Sequence, residues 1–227
     1  MACCSSFAGL IFTLLLLVVS LTLTLIGILT DCWFFVDTKG ILLDGETVKR
    51  DNYHFGFWRK CYDNLPSELP LNEDLAAEKN CVLIYGKLTP KSGQNLTTKE
   101  DLLIELSRSY IGLTITFAAV QLATILILLC GTWPGRCGQV KRPCLYVLAV
   151  IVQTLATMCG VAAGICFLAA RDVEVSDLML YTNANTSFGY SFMLHWIATG
   201  ISFCNGVFIL ILYRWASDYV HTNSKLR

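Results

Sequence analysis

The chain has 227 residues, 55% of them hydrophobic and only 15% charged, and its 17 cations balance 17 anions. Soluble domains carry about 25% charged residues, so this much apolar material requires an apolar surrounding. Zero net charge also removes the basic field with which nucleic-acid binders neutralise phosphates, and nucleic acid is not an expected partner.

The apolar residues fall in four uncharged runs, at 7–29, 110–130, 144–170 and 189–213. About 20 apolar residues cross a bilayer core, so each run predicts a transmembrane helix. No Lys or Arg precedes the first run, which is too long for the apolar core of a cleaved signal peptide and lacks a small-residue cleavage site after it. It is expected to remain as an anchored helix. The polar segments between the spans are a large loop at 30–109, a short loop at 131–143, a second loop at 171–188 and a tail at 214–227. We read the whole as one domain.

Cytoplasmic loops are enriched in Lys and Arg. The 131–143 loop carries Arg136, Lys141 and Arg142 without an acid, and the tail carries Arg214, Lys225 and Arg227 against Asp218. The large loop has a charge of −3 and the 171–188 loop −2. Both termini and the short loop are therefore expected in the cytoplasm of a multi-pass plasma-membrane protein. The sequons at Asn95 and Asn185 both fall in segments placed outside, where glycosylation occurs.

The large loop has the marks of a folded unit. Runs at 33–36, 40–43, 53–58 and 81–85 are β-prone and separated by turn-forming pieces such as Asp37-Thr38-Lys39-Gly40 and Asp44-Gly45. They predict a small antiparallel sheet. The stretch from Asn64 to Asn80, with Glu68, Glu73, Asp74 and Glu78, reads as an exposed excursion and a candidate partner contact, since loops on a rigid scaffold carry recognition. Residues 99–110 read as an extension of the second helix beyond the membrane.

Of the 11 cysteines, Cys159, Cys166 and Cys204 lie inside spans as small apolar residues. Cys3, Cys4, Cys130, Cys137 and Cys144 flank the membrane on the reducing side. There they are either candidates for palmitoylation or ordinary interfacial residues, with Cys3, Cys4, Cys130 and Cys137 the chosen candidates. Cys32, Cys61 and Cys81 reach the oxidising side. Cys32 adjoins Trp33 at the depth of the aromatic belt, so Cys61–Cys81 is the expected pair.

Trp33 after the first span, then Gly56-Phe57-Trp58, Cys61 and Cys81 between the first two of four spans, resembles the claudin, peripheral-myelin-protein and voltage-gated calcium-channel γ-subunit superfamily. Its signature is W, G-L-W, C and C. The resemblance implies a left-handed four-helix bundle bearing a small extracellular antiparallel β-sheet, and a Cys61–Cys81 disulfide. Phe57 stands where the family has Leu. The long gap between the cysteines, Arg59 after Trp58, and a tail ending Ser224-Lys225-Leu226-Arg227 without an apolar PDZ-docking residue look more like the γ-subunit and claudin-domain-containing branches than like tight-junction claudins. That branch implies an accessory or regulatory subunit of a channel, receptor or adhesion protein. The alternative is claudin-like adhesion or barrier formation by copies of the chain on neighbouring cells.

No catalytic constellation, cofactor site or metal-ligand spacing is legible, and neither an enzyme nor a small-molecule substrate is expected. His54, His195 and His221 are scattered, and the spans lack the interior charges that ion pathways need. A pore would draw its charges from Asp37, Asp44, Glu46, Lys49, Arg50 or Asp51, which otherwise form a solvated loop face. Ala156, Gly160 and Gly164 make a small-residue ladder for close helix packing, within the chain or with a partner. Gln121, Gln153, His195 and Asn205 are the polar residues of the spans, each expected to hydrogen-bond a neighbouring helix for roughly 1 kcal/mol. Trp33, Gly56 and Trp58 are expected to be structural.

Overall fold

A computed structural model describes residues 2–38, 41–43, 46–48, 52–63, 81–84, 97–132, 142–181 and 184–225. Helix α1 (Ala2–Leu29) leads into strands β1 (Phe34–Thr38), β2 (Ile41–Leu43), β3 (Glu46–Val48), β4 (Tyr53–Phe55), β5 (Arg59–Tyr62) and β6 (Cys81–Leu83). Helices α2 (Thr98–Thr132) and α3 (Arg142–Tyr181), strand β7 (Ala184–Phe188) and helix α4 (Tyr190–Lys225) follow. Each helix contains a stretch long and apolar enough to cross a membrane, at 8–29, 98–130, 144–176 and 190–215.

The helices outrun the apolar runs that predict them. Helix α2 begins in a capping box: the Thr97 N–H donates to the Glu100 carboxylate (2.9 Å) and the Glu100 N–H to the Thr97 hydroxyl (3.4 Å). Helix α3 carries Pro143 in its first turn, where the missing N–H costs nothing, and continues through half of the segment read as the 171–188 loop. There Arg171 and Glu174 pair one turn apart. Helix α4 consumes most of the expected tail, because residues 214–225 contain no Gly or Pro to stop it. Loss of hydropathy marks the end of a span, whereas a helix ends where its backbone hydrogen bonding ends.

The chain divides into two compact units. The first comprises residues up to 25, 113–161 and 196 onward, and is a four-helix bundle. Leu17, Leu128, Ala149 and Ile209, one from each helix, form one buried cluster, and Phe117, Ala156 and Ala198 form another, with Leu23 against it. The interior also holds polar groups: the Gln121 amide donates to the Ser20 hydroxyl (2.8 Å), the Ser20 hydroxyl to the Ala198 carbonyl (2.8 Å), and the Gln153 amide to the Ser202 hydroxyl (2.7 Å). Asn205 is fully buried with no hydrogen-bond partner among the described residues. Meanwhile Ile151, Leu155, Met158 and Phe203 face outward, each more than half exposed. This inversion suits hydrocarbon, where outward apolar groups cost nothing and polar groups must be satisfied inside.

The ladder on α3 is used within this bundle. A Cβ on Gly160 would lie 2.8 Å from the Thr199 hydroxyl of α4 and 3.3 Å from the Phe117 ring of α2, and Ala156 is fully buried in the core.

The second unit comprises 26–112 and 162–195. Its five-stranded antiparallel sheet has the order β6-β5-β4-β1-β7, while β2 and β3 form a separate two-stranded ribbon. Phe34 faces Phe55 on one side and Phe188 on the other. Phe34 and Val36 are buried while Phe35 and Asp37 are exposed, the alternation of a sheet with one covered face. Strand β7 has no counterpart among the predicted strands. Ala184-Asn185-Thr186-Ser187-Phe188 is poorly β-prone by composition, and pairing with β1 over five residues supplies what propensity does not.

Replacing Gly160 with Leu should lower bundle stability by about 1–3 kcal/mol through overpacking, read as a fall in the thermal unfolding midpoint in detergent. Leu at Gly200, where a Cβ meets nothing within 4 Å among the described residues, should leave it unchanged.

Candidate functional site

The sheet-bearing unit holds most of the residues singled out by sequence, and its centre is Trp33. The ring is 1% exposed, and its N–H donates to the Gly27 carbonyl at 2.6 Å, so the chain turns back on the last helical turn of α1 as it leaves it. Phe167 of α3, Phe57, His195 and Phe192 of α4 surround the indole with ring centroids at 5.0, 5.6, 5.6 and 6.2 Å. Tyr110 of α2 meets Phe57 and Phe167 edge-on at 5.9 and 5.3 Å, the preferred geometry for aromatic quadrupoles.

Backbone bonds clamp this seat. The Trp33 N–H donates to the Phe55 carbonyl (2.8 Å), the Gly189 N–H to the Trp33 carbonyl (2.9 Å) and the Ser191 N–H to the Cys32 carbonyl (3.1 Å). At two positions the approach leaves no room for a side chain: a Cβ on Gly189 would strike the Cys32 carbonyl, and one on Gly56 the Asp31 backbone. Trp58 is half-buried, packs edge-on against Phe57 at 4.9 Å, and its carbonyl accepts the Ile84 N–H (2.8 Å). Trp33, Gly56, Phe57 and Trp58 hold the unit together.

Beside this core lies a charged layer. Arg171 is 5% exposed, donates to Glu174, and stacks its guanidinium 4.2 Å from the Phe55 ring centroid. Lys60 reaches the same Glu174 at 3.7 Å, and its ammonium sits over the Tyr53, Phe55 and Tyr62 rings at 3.8, 4.8 and 5.3 Å. Two cations thus share one carboxylate and the Phe55 ring, with Tyr53 and Tyr62 beside Lys60 and Phe167 beside Arg171, an arrangement that offsets desolvation of the charges. In the sequence Arg171 and Glu174 read only as loop charges that bear on orientation. The hidden signal was their spacing of three on what proves to be helix.

Cys61 and Cys81 sit opposite each other in β5 and β6 and are joined by a disulfide. Cys32 is a half-buried free thiol. It borders a cavity of about 640 Å3 with His54, the Arg59–Asp31 ion pair (3.4 Å) and the disulfide. Asn185 is exposed in β7 opposite Asp37. Cys130, near the end of α2, is exposed, as is Cys144. Cys3 and Cys4 fall in α1. Gly164 is buried on α3. Asn95, Cys137, the Asn64–Asn80 excursion, Asp44, Lys49, Arg50 and Asp51 lie outside the described residues.

The family model for PMP-22/EMP/MP20/Claudin, tight junction, matches residues 18–211. The chain belongs to this family. It is similar to epithelial membrane protein 2 of Bos taurus, 38% identical over 69 residues, a match that covers 30% of this chain and 41% of that protein. This claudin-family chain is a multi-pass membrane protein whose immediate surroundings are the lipid bilayer, and the matched span takes in the Trp33 seat, the disulfide and β7.

Trp33→Phe keeps most of the packing but removes the N–H bonded to Gly27, and should destabilise the protein by about 2 kcal/mol. Removal of the disulfide by paired Cys→Ser changes should cost about 3 kcal/mol for a loop of this length. Glu174→Gln, which leaves Arg171 and Lys60 without their shared carboxylate, should cost about 3 kcal/mol. Thermal unfolding in detergent measures all three.

Proposed function

We propose that the protein is an accessory or regulatory subunit that binds a larger integral membrane protein, such as a channel, receptor or adhesion molecule, through an outward face of α4. Gly200 and Cys204 lie one turn apart on that face, both exposed, between Ile197, Phe203 and Val207. A Cβ on Gly200 meets no described atom within 4 Å, so this notch lets a foreign helix approach closely, the geometry that drives association where lipid offers no hydrophobic force. The Gly160 ladder, by contrast, is occupied by the chain's own Thr199 and Phe117. In this reading the protein sits in the plasma membrane with both termini cytoplasmic and the sheet outside, as the charge asymmetry of the loops supports.

A second reading is adhesion or barrier formation between copies on neighbouring cells. Membership of the PMP-22/EMP/MP20/Claudin tight-junction family and the position of β7 at the sheet edge favour it, because an edge strand can add a strand from another chain.

Under the first reading, Gly200→Leu should reduce recovery of a co-purified membrane partner about tenfold at unchanged thermal stability. Purification in nanodiscs with no stoichiometric membrane partner would sink it. Under the second, expression in cells that lack junctions should concentrate the protein at contacts between expressing cells, and uniform surface staining would count against adhesion.

A further inference from the structure

The sheet-bearing unit contains a second, smaller cavity, of about 200 Å3, where the short edge strand β6 meets α2 and α3. Val82, Ile84, Leu103 and Ile104 contribute apolar walls, and Lys60, Ser107, Arg171 and Glu174 contribute polar and charged groups. Among the described residues its lining carries two cations and one carboxylate, and that carboxylate pairs with both Arg171 and Lys60. Arg171 is 5% exposed, and its Nε has no hydrogen-bond partner among the described residues. A buried guanidinium N–H left unsatisfied carries a desolvation penalty that an anion would relieve.

We propose that this cavity binds the head of a long-chain carboxylate drawn from the bilayer. Its carboxylate would be held by Arg171 Nε, with Lys60 and the Ser107 hydroxyl as further donors, and its first methylenes would lie against Val82, Ile84, Leu103 and Ile104. The volume falls below the roughly 300–1,000 Å3 of sites that enclose a whole drug-sized ligand. It therefore admits a head and the start of a chain, and the remainder stays in lipid. Cationic and apolar walls share one small space, so the charge must sit directly on the hydrocarbon. A free fatty acid meets that condition, whereas a phospholipid interposes glycerol between phosphate and acyl chain. The cavity is lined from β4, β5, β6, α2 and α3, and α2 and α3 run on into the membrane-spanning stretches, so a chain whose head sits here can follow the two helices toward the bilayer.

The test uses the full chain in phosphatidylcholine nanodiscs with a palmitic acid analogue that carries its diazirine on a carbon next to the carboxylate, cross-links being mapped by mass spectrometry. Labelling should concentrate on peptides containing residues 82–84 and 103–107. Palmitate should compete with it at least about tenfold better than cetyl alcohol, as one charge-assisted hydrogen bond requires, and acetate should not compete. Arg171→Gln should weaken labelling by a similar factor. Ile104→Trp should abolish it by filling the cavity while leaving the charges in place, and it decides the matter if Arg171→Gln fails to fold. Labelling spread over lipid-facing helix surfaces, equal competition by the alcohol, or competition by phosphatidylserine as strong as by palmitate would each overturn the assignment.

Discussion

The hydrogen bond from the Trp33 indole to the Gly27 carbonyl decides how the chain leaves its first helix. A carbonyl in the last turn of a helix has no intrahelical donor to expect, and here a side chain six residues later supplies one. The bond holds the chain to a sharp return, so β1 starts beside the helix it came from. Everything else in the unit is built against the indole. Phe57, Phe167, Phe192 and His195 pack on its ring, and Phe55 and Gly189 bond its backbone. Glycines at 56 and 189 are the corollary, since the clamp brings backbones within the radius of a methyl group.

The bundle obeys a different constraint. Polar side chains share its interior with the apolar core while many large apolar side chains face outward, and some of the polar ones bond across helices, as Gln121 does to Ser20 and Gln153 to Ser202. Such bonds add modestly to stability in a membrane, but they fix which faces meet. Gly160 does the same through space, admitting Thr199 where any larger residue would keep α3 and α4 apart. The small residues of α3 are consumed in this way, which leaves Gly200 and Cys204 on α4 as an open notch.

Much of this was legible in the sequence. Four uncharged runs could only be spans, and the W, G-F-W, C, C order carried both the sheet and the pairing of Cys61 with Cys81. What escaped was whatever depends on a partner far away in the chain. Strand β7 looks like a polar linker until β1 is beside it. Arg171 and Glu174 look like loop charges until the helix is seen to continue past the apolar run. The Lys60, Arg171 and Glu174 layer joins β5 to α3 across more than a hundred residues, and no local pattern announces it. Ala156 and Gly160 were visible as small residues, but which surface they faced was a question of packing.

Strand β7 also governs the order of assembly. Among the described residues it is the last strand to leave the ribosome and pairs only with β1, separated from it by about 150 residues and two spanning helices. Non-local pairings of this kind close slowly because a long loop must be ordered first. Throughout synthesis of α2 and α3, the far edge of β1 stays open as an unpaired row of backbone donors and acceptors, available to any other strand that arrives. Completion of the sheet therefore waits on a five-residue segment late in the chain, and truncation before residue 184 would leave the far edge of β1 without the partner it has here.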